Sequence, residues 1–366
     1  MTHLKKYNVK NQSIDCMIYL TLIMAKITIQ DIARSIGVSG STVSRALRDD
    51  PRISKKVILE VKNAAARLGY VPNIGASNLR VGKTRLIGLI VRDIRDGFCL
   101  EVIPSVEAAC AAIDYGLLLC NAGADQQVER EYLRTLLQRR VDGIILITPV
   151  TSIPEPYLLF RREVPLVLVD IDVGDAPICA VSVDHKMGGY LSTKHLLDFG
   201  HRRIAFLSGP LSLSSSLRCV EGYKRAMCEA GIPSEDQTVA LTEKTGIQDG
   251  FNGMVDIIKI IPRPTAVATF SDLMAAGALE AARQCGLQVP EDISIIGYDD
   301  IPLVSLLTPP LTTVNQNKEE LGSVAVKLLL EEIHEKEHLH RQILIPPALI
   351  VRGSTAPISQ QAIQVA

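Results

Sequence analysis

Residues 37 to 50 read GVSGSTVSRALRDD. The glycine tolerates the left-handed backbone that a tight helix exit needs, and Ser39 is suited to cap the helix that follows. Within that helix Val43, Ala46 and Leu47 form one side, and Ser41, Arg45 and Arg48 the other. The flanks have the same grammar. Thr28 caps a preceding helix, with Asp31 three residues on and Ile29, Ile32, Ala33 and Ile36 on one face. Beyond the DDPR turn, Ser54 caps a third helix whose inner side is Val57, Val61, Ala64 and Leu68, stopped by Gly69. Two helices joined by a three-residue turn, with a third in support, is the helix-turn-helix arrangement.

Charge points the same way. The 366-residue chain has a formal charge of −1, but residues 24–84 carry eleven Lys or Arg against four Asp or Glu. Residues 1–23 add a further +2, which leaves about −10 on residues 85–366. A basic head on an acidic body calls for a polyanionic partner such as DNA. At 47% hydrophobic and 22% charged residues the chain can pack a sizeable core, and its length calls for two or three units. The eight cysteines are scattered with no CxxC pair, which argues against a zinc site and a disulfide scaffold and fits a reducing cytosol. No apolar run reaches 18 residues, so no membrane span is expected. CMIYLTLIMA (16–25) has signal-peptide character, but the cytosolic-looking domain after it argues otherwise. Residues 1–25 are expected to be a disordered or mis-started extension, with MAKITIQDIA from Met24 the more ordinary beginning.

Between head and body, YVPNIGASNLRVGKT (70–84) begins with an extended break; Asn73 then caps a helix of about two turns. Gly75 weakens it further. The segment reads either as a flexible linker or as a hinge that orders on DNA, with Leu79 as a minor-groove wedge.

From Leu86 onward, apolar runs alternate with helix-length segments: LIGLIV (86–91), GLLLC (116–120), GIILI (143–147), PLVLVD (165–170), RIAFLSG (203–209), AVATF (266–270) and SIIGY (294–298). Such runs suit parallel strands covered on both faces, in α/β layers. No GxGxxG follows the first strand, and neither a Walker sequence, a nucleophile constellation nor HExxH appears. No catalytic residue, cofactor or metal is therefore assigned, and His195 and His201 are given structural or surface roles rather than catalytic ones. Ligands bind outside the carboxyl ends of such strands. Asp93, Asp170, Ser271, Asp272 and Asp299 fall there, either to accept hydrogen bonds from a ligand's hydroxyls or amines or to cap helices. For Asp170 and Asp299 ligand contact is preferred; for Asp272 a cap is at least as good a reading. A helix over residues 318–332, with Leu321, Val324, Ala325, Leu328 and Leu329 inward, is assigned either to a dimer interface or to the core. The tail APISQQAIQVA lacks leucine heptads, so no coiled-coil tetramer is expected.

TIQDIARSIGVSGSTVSRAL, with VSxxTVSR at 38–45, followed by GYVPN and ASNL, resembles the head of the LacI/GalR family of bacterial transcription repressors. The resemblance implies that the second helix reads the DNA major groove, that Leu79 pries apart a central base step, and that a dimer reads a near-palindromic operator. Ser41 and Arg45 are assigned to base edges, Arg45 being suited to guanine. Ser39, Thr42, Ser44 and Asn73 are assigned to phosphates, and Thr28, Gly40, Arg48 and Ala76 complete the DNA-contact set. Gly40 offers no base-contacting atom and supplies close approach. VDGIIL (141–146), GHRRIAFLSGP (200–210), GYKRAM (222–227), SDLMAAGAL (271–279), VPEDISIIGYDD (289–300), PPLTTV (309–314) and RGST (352–355) are similar to the family's effector domain, which resembles two-lobed periplasmic sugar-binding proteins.

That resemblance implies three crossings between lobes, near Val183, Val314 and Gln342, and a cleft holding a small effector such as a sugar or nucleoside. Effector contacts are placed at Asp93, Phe98, Asp170, Arg218, Cys219, Thr245, Ser271 and Asp299. Three positions depart from the family. Cys99 and Thr245 stand where aromatics are common, and Cys219 stands where an arginine often grips the effector, with Arg218 beside it. Cysteine cannot supply the planar multi-donor grip of a guanidinium, so the pocket is expected to depart from an ordinary sugar or purine site. The expected organisation is an extension (1–25), a helix-turn-helix head (26–72), a hinge (73–84), a two-lobed effector and dimerisation domain (85–356) and a tail (357–366). The implied protein is a cytoplasmic, nucleoid-associated homodimeric repressor. A secreted or periplasmic sugar-binding protein of the same fold is the alternative, which the basic head disfavours.

Overall fold

The computed structural model describes residues 27–70, 83–150, 155–334 and 340–358. Asn73, Ala76 and Leu79, and the extension assigned to residues 1–25, lie outside them. The chain divides into two compact units, Met1–Gly82 and Lys83–Ala366.

In the first unit three helices follow one another: α1 (Ile29–Ile36), α2 (Gly40–Ala46) and α3 (Lys55–Leu68). Their ends are fixed locally. Asp31 accepts the Thr28 amide at 2.9 Å, Ser39 Oγ accepts the Thr42 amide at 3.1 Å, and Ser54 Oγ accepts the Val57 amide at 3.4 Å. Gly37 and Gly69 end α1 and α3 at φ 69°. The apolar faces meet in a small core of Ile32, Ala33, Val43, Ala46, Val61, Ala64 and Ala65.

The second unit holds two six-stranded sheets. The first lobe begins with β1 (Leu86–Val91), α4 (Gly97–Ala111), β2 (Gly116–Asn121), α5 (Gln126–Gln138), β3 (Gly143–Ile147), α6 (Glu155–Arg161), β4 (Leu166–Val169) and β5 (Cys179–Val183). The second lobe begins with α7 (His185–Asp198), β6 (Ile204–Ser208), α8 (Ser214–Glu229), β7 (Thr238–Leu241), α9 (Ile247–Ile258), β8 (Ala266–Thr269), α10 (Asp272–Gln284), β9 (Ser294–Asp299) and β10 (Thr312–Asn315). The chain then returns to the first lobe for α11 (Lys318–His334) and β11 (Gln342–Ile345), and ends with β12 (Ala348–Ile350) in the second. The strand order is β11-β5-β4-β3-β1-β2 in one sheet and β12-β10-β9-β8-β6-β7 in the other. Every pairing is parallel except β10–β12.

Strand alternation explains the layered core. Ile87, Leu89 and Val91 point into one cluster with α4 and α11, while Ile144 and Leu146 enter the cluster on the opposite face. The run at 116–120 departs from the expected double cover: β2 is an edge strand and leaves Leu119 exposed. The third lobe crossing falls at Pro346–Pro347, after β11, rather than near Gln342. The inner face of α11, including Leu321, Ala325, Leu328 and Leu329, is buried in the first lobe's core, which resolves that helix as core. His195 bonds the Thr355 hydroxyl at 2.9 Å, and His201 bonds Thr265 at 2.9 Å and the Ala356 carbonyl at 3.0 Å, so both have the structural roles expected of them. No helix among the described residues is long and apolar enough to cross a membrane.

Candidate functional site

On the head, the polar side of α2 has two unlike arginines. Arg48 is tied back to its own helix, its Nε donating to the Ser44 carbonyl at 2.8 Å and its Nη2 to Ser44 Oγ at 3.0 Å. Arg45 is exposed; its carbonyl accepts the Arg48 and Asp50 amides at 3.1 and 3.2 Å, while no side-chain hydrogen bond holds its guanidinium among the described residues. Ser39 Oγ lies 2.8 Å from both Ser41 Oγ and Thr42 Oγ1, a hydroxyl cluster at the helix start. At Gly40 a Cβ would stand 3.0 Å from the Gln30 side-chain amide, a flexible neighbour. Thr28 Oγ1 is bonded to Asp31 at 2.6 Å. The electropositive residues are thus displayed from a short, capped helix, which is a surface able to meet phosphates and base edges.

In the body, a cavity of about 530 Å³ lies between the lobes. The carboxyl ends of β1, β3, β4, β8 and β9 supply Arg92, Asp93, Thr148, Asp170, Phe270 and Asp299 to its wall. Thr148 (φ 45°), Asp170 (φ 61°) and Asp299 (φ 120°) adopt backbone conformations that L-residues avoid, each at a cost of about 1–3 kcal/mol. With Ala124, four of the ten non-glycine residues at positive φ among the described residues thus line the cavity.

Asp96 caps α4, accepting the Phe98 amide at 2.9 Å and the Cys99 amide at 3.2 Å. Burial pushes its carboxyl up despite those donors. Asp299 accepts Gln316 Nε2 at 2.5 Å, and its own carbonyl is held by Lys318 Nζ. Burial, then the charges of Asp272 and Asp96, drive the Asp299 carboxyl well above the usual carboxylate range. Asp93 is the opposite case: the Arg95 guanidinium, 2.6 Å away, holds its carboxyl low.

Beneath the cavity, His185 Nε2 lies 2.5 Å from Asp170 Oδ1 and Nδ1 lies 3.0 Å from the Tyr298 hydroxyl. Burial opposes a charge on this imidazole, but the Asp170 carboxylate outweighs it and raises the pKa to about 10. Two buried polar atoms of lining residues, Arg92 Nη1 and Gln316 Oε1, find no hydrogen-bond partner among the described residues. Native proteins rarely leave such groups unpaired, so the wall holds one donor and one acceptor ready for a polar ligand. Both nitrogens of His185 are engaged, and Ser271 Oγ donates to the Thr245 carbonyl at 3.0 Å while accepting the Met274 amide at 3.2 Å. These groups are arranged to hold a ligand, not to activate a nucleophile.

Of the residues assigned to the effector, Asp93, Phe98, Asp170, Thr245, Ser271 and Asp299 line this cavity together. Cys219 and Arg218 do not. Cys219 is fully buried in the core where α7 meets α8, against His185 and Tyr298, which line the cavity in its place. Arg218 points outward, bonding Asp172 through Nε at 3.1 Å and Glu221 at 3.0 Å. Cys99 is also buried, 3.1 Å from Thr148 Oγ1. Asp272 neither caps α10, which Ser271 does, nor reaches the cavity. It is wholly buried, accepting the Ile301 amide at 2.9 Å and the Thr313 hydroxyl at 2.6 Å, and burial raises its pKa to about 7. Sequence reasoning missed Arg92, Asp96, His185, Tyr298 and Gln316. Arg92 and Asp96 flank the assigned Asp93 and were within reach of the strand-end rule; nothing local marks His185 or Gln316.

Two family models match the chain: bacterial regulatory proteins of the lacI family over residues 28–73, and a periplasmic binding protein-like domain over 193–355. The ribose operon repressor of Escherichia coli K12 is 37% identical over 328 residues, 89% of this chain and 99% of that protein. The transcriptional repressor PurR of Vibrio vulnificus is 36% identical over 333 residues, covering 91% and 99%. Among solved structures, the Lac repressor dimer bound to operator and the anti-inducer ONPF superposes with a TM-score of 0.81 at 27% identity, covering 90% of this chain and 99% of that one. A LacI-family regulator from Enterococcus faecium with bound ribose gives 0.68 at 30%, covering 75% and 100%. Likeness along nearly the whole length of repressors, head included, tells against the secreted sugar-binding alternative. The chain belongs to the LacI family of bacterial transcription regulators, and is a DNA-binding repressor with an effector-binding body rather than an enzyme.

Proposed function

We propose that the protein works in the cytoplasm, on the chromosome, as a homodimer that reads a near-palindromic operator, organised as head (26–72), hinge (73–84) and effector body (85–356). In this reading α2 enters the major groove; Ser41 and Arg45 meet base edges, Gly40 allows close approach, and Ser39, Thr42 and Ser44 hold phosphates. The observation that carries it is the contrast between the Arg45 guanidinium, exposed and without a hydrogen bond among the described residues, and that of Arg48, bonded to Ser44. Thr28, Asn73, Ala76 and Leu79 are proposed to complete the DNA contacts.

The effector, a sugar, nucleoside or related metabolite, binds in the inter-lobe cavity against Arg92, Asp170, Asp299 and Gln316. It acts only through its differential affinity for two lobe arrangements. Ribose is the first probe, given the relatives that carry it in their names.

Mobility shifts on genomic fragments around the protein's own gene test the reading. Arg45→Ala is expected to abolish the specific complex and leave weaker, salt-sensitive binding, whereas Arg48→Ala is expected to retain specificity. Unchanged specific binding by Arg45→Ala would sink the assignment.

A further inference from the structure

At the opposite end of the first lobe's sheet from the cavity, three unlike donor atoms converge. Cys179 opens β5, Glu332 lies in the last turn of α11, and His340 stands just before β11. The sulfur, a carboxylate oxygen and an imidazole nitrogen all lie within 4.8 Å of one another, with His340 Nδ1 3.3 Å from Glu332 Oε1. The sheet fixes this meeting. β11 pairs with β5 so that Gln342 faces Ala180, and the Arg341 amide approaches Cys179 Sγ at 3.5 Å. The cluster is shielded: Cys179 is buried, and the side chains of Glu332 and His340 are 7% and 24% exposed.

A positive charge already occupies the cluster. Arg161 Nη2 stands 3.1 Å from His340 Nδ1 and 3.3 Å from Glu332 Oε2. Yet the guanidinium fits poorly, for its Nε is buried without a hydrogen-bond partner among the described residues. A cation-binding pocket with a badly satisfied occupant is one that a better cation can take.

We propose that Cys179, Glu332 and His340 form a binding site for a zinc-class divalent ion, with Arg161 swinging out to solvent as the ion enters. Sulfur, nitrogen and oxygen donors together suit a borderline ion that accepts tetrahedral coordination. Metal–ligand bonds of about 2.0–2.3 Å put tetrahedral ligands roughly 3.5 Å apart, so small side-chain shifts close the present cluster. The Cys179 thiol passes its proton to solvent as the sulfur–metal bond forms, and no electrons change hands. Thiolate, carboxylate and neutral imidazole then balance a divalent charge, which leaves the guanidinium without a role and expels it. Such an ion would clamp the end of α11 to the edge strand β11.

Titration of the metal-free full-length protein with Co²⁺ and Zn²⁺ tests this. One equivalent of Co²⁺ is expected to give a thiolate-to-metal charge-transfer band and the intense visible bands of a tetrahedral site. Cys179→Ser should remove the charge-transfer band, and His340→Ala should keep it while weakening Zn²⁺ at least about tenfold in competition with a chelating indicator. Arg161→Gln should strengthen binding several-fold, a gain that misfolding cannot imitate. Absence of stoichiometric binding, a charge-transfer band that survives Cys179→Ser, or no gain in Arg161→Gln would each overturn the proposal.

Discussion

The two lobes share a strand order and differ in how their sheets are covered. In the second lobe both helix pairs meet backbone to backbone. A Cβ on Gly189 would lie 2.1 Å from the Cys219 carbonyl oxygen of the facing helix, and one on Gly222 2.0 Å from that of Lys186. On the other face, Gly250 and Gly277 stand in the same relation to Met274 and Ile247, at 2.1 and 1.9 Å. The first lobe has one such approach and no reciprocal pair among the described residues: a Cβ on Gly322 of α11 would lie 1.8 Å from Ser105 Oγ and 2.9 Å from the Val106 amide nitrogen of α4. Its Gly88 is crowded only by the tip of Leu136, and its Gly143 by Leu329. One topology is thus sealed by two reciprocal main-chain contacts in one lobe, and in the other by a single close approach at Gly322 together with adaptable side chains. The second lobe should behave as the stiffer body, and the first as the one that accommodates change.

Two substitutions break or sharpen this contrast. Gly277→Ala should cost about 3 kcal/mol in denaturant unfolding, because the helices must part. The helix-propensity gain of about 1 kcal/mol does not offset it. Gly88→Ala should cost only about 1 kcal/mol, since Leu136 can turn aside; equal losses would erase the distinction.

The lobes themselves are joined by a buried pair, His185–Asp170, and an exposed one, Arg218–Asp172. The pKa of His185 in the folded protein, about 10, exceeds its ordinary 6.5. Its contribution is therefore complete below 6.5 and is lost as pH rises toward 10. Comparing unfolding curves at the two ends of that window should show a loss on the order of 2 kcal/mol that His185→Asn no longer shows. A variant with the same alkaline loss would assign it elsewhere. The smallest effect is expected from Arg218→Ala. With 45% and 38% of the two side chains exposed, the bridge to Asp172 should contribute under about 1 kcal/mol and fade with added salt.

Much of this was legible in the sequence, for physical reasons. Thr28, Ser39, Ser54, Gly37 and Gly69 act within a turn of where they stand, so the head could be drawn from them. β1 and β3 are continuous apolar runs and matched residue for residue. TVAL at 238–241, TTVN at 312–315 and QILI at 342–345 are short or polar, and were not read as strands, because tertiary pairing rather than local pattern makes them so. At the cavity, position alone was readable. Asp170 and Asp299 are aimed by strand ends, which sequence reveals. The reach of a side chain is set by what lies between it and the site, and His185, 34 residues before Cys219 in the chain, occupies that space. Restoring an arginine at Cys219 would place it first in a closed core and only then, if at all, in the cavity.

The three crossings, at Asp184, Gln316 and Pro346–Pro347, have a consequence for synthesis. The first lobe starts the body, yet its core helix α11 and edge strand β11 emerge from the ribosome only after nine consecutive elements of the second lobe. The lobe begun first is completed nearly last, and β12 then closes the second sheet by pairing with β10. The first lobe therefore cannot be completed before nearly all of the second has been made, and the full set of sheet pairings is in place only near the end of translation.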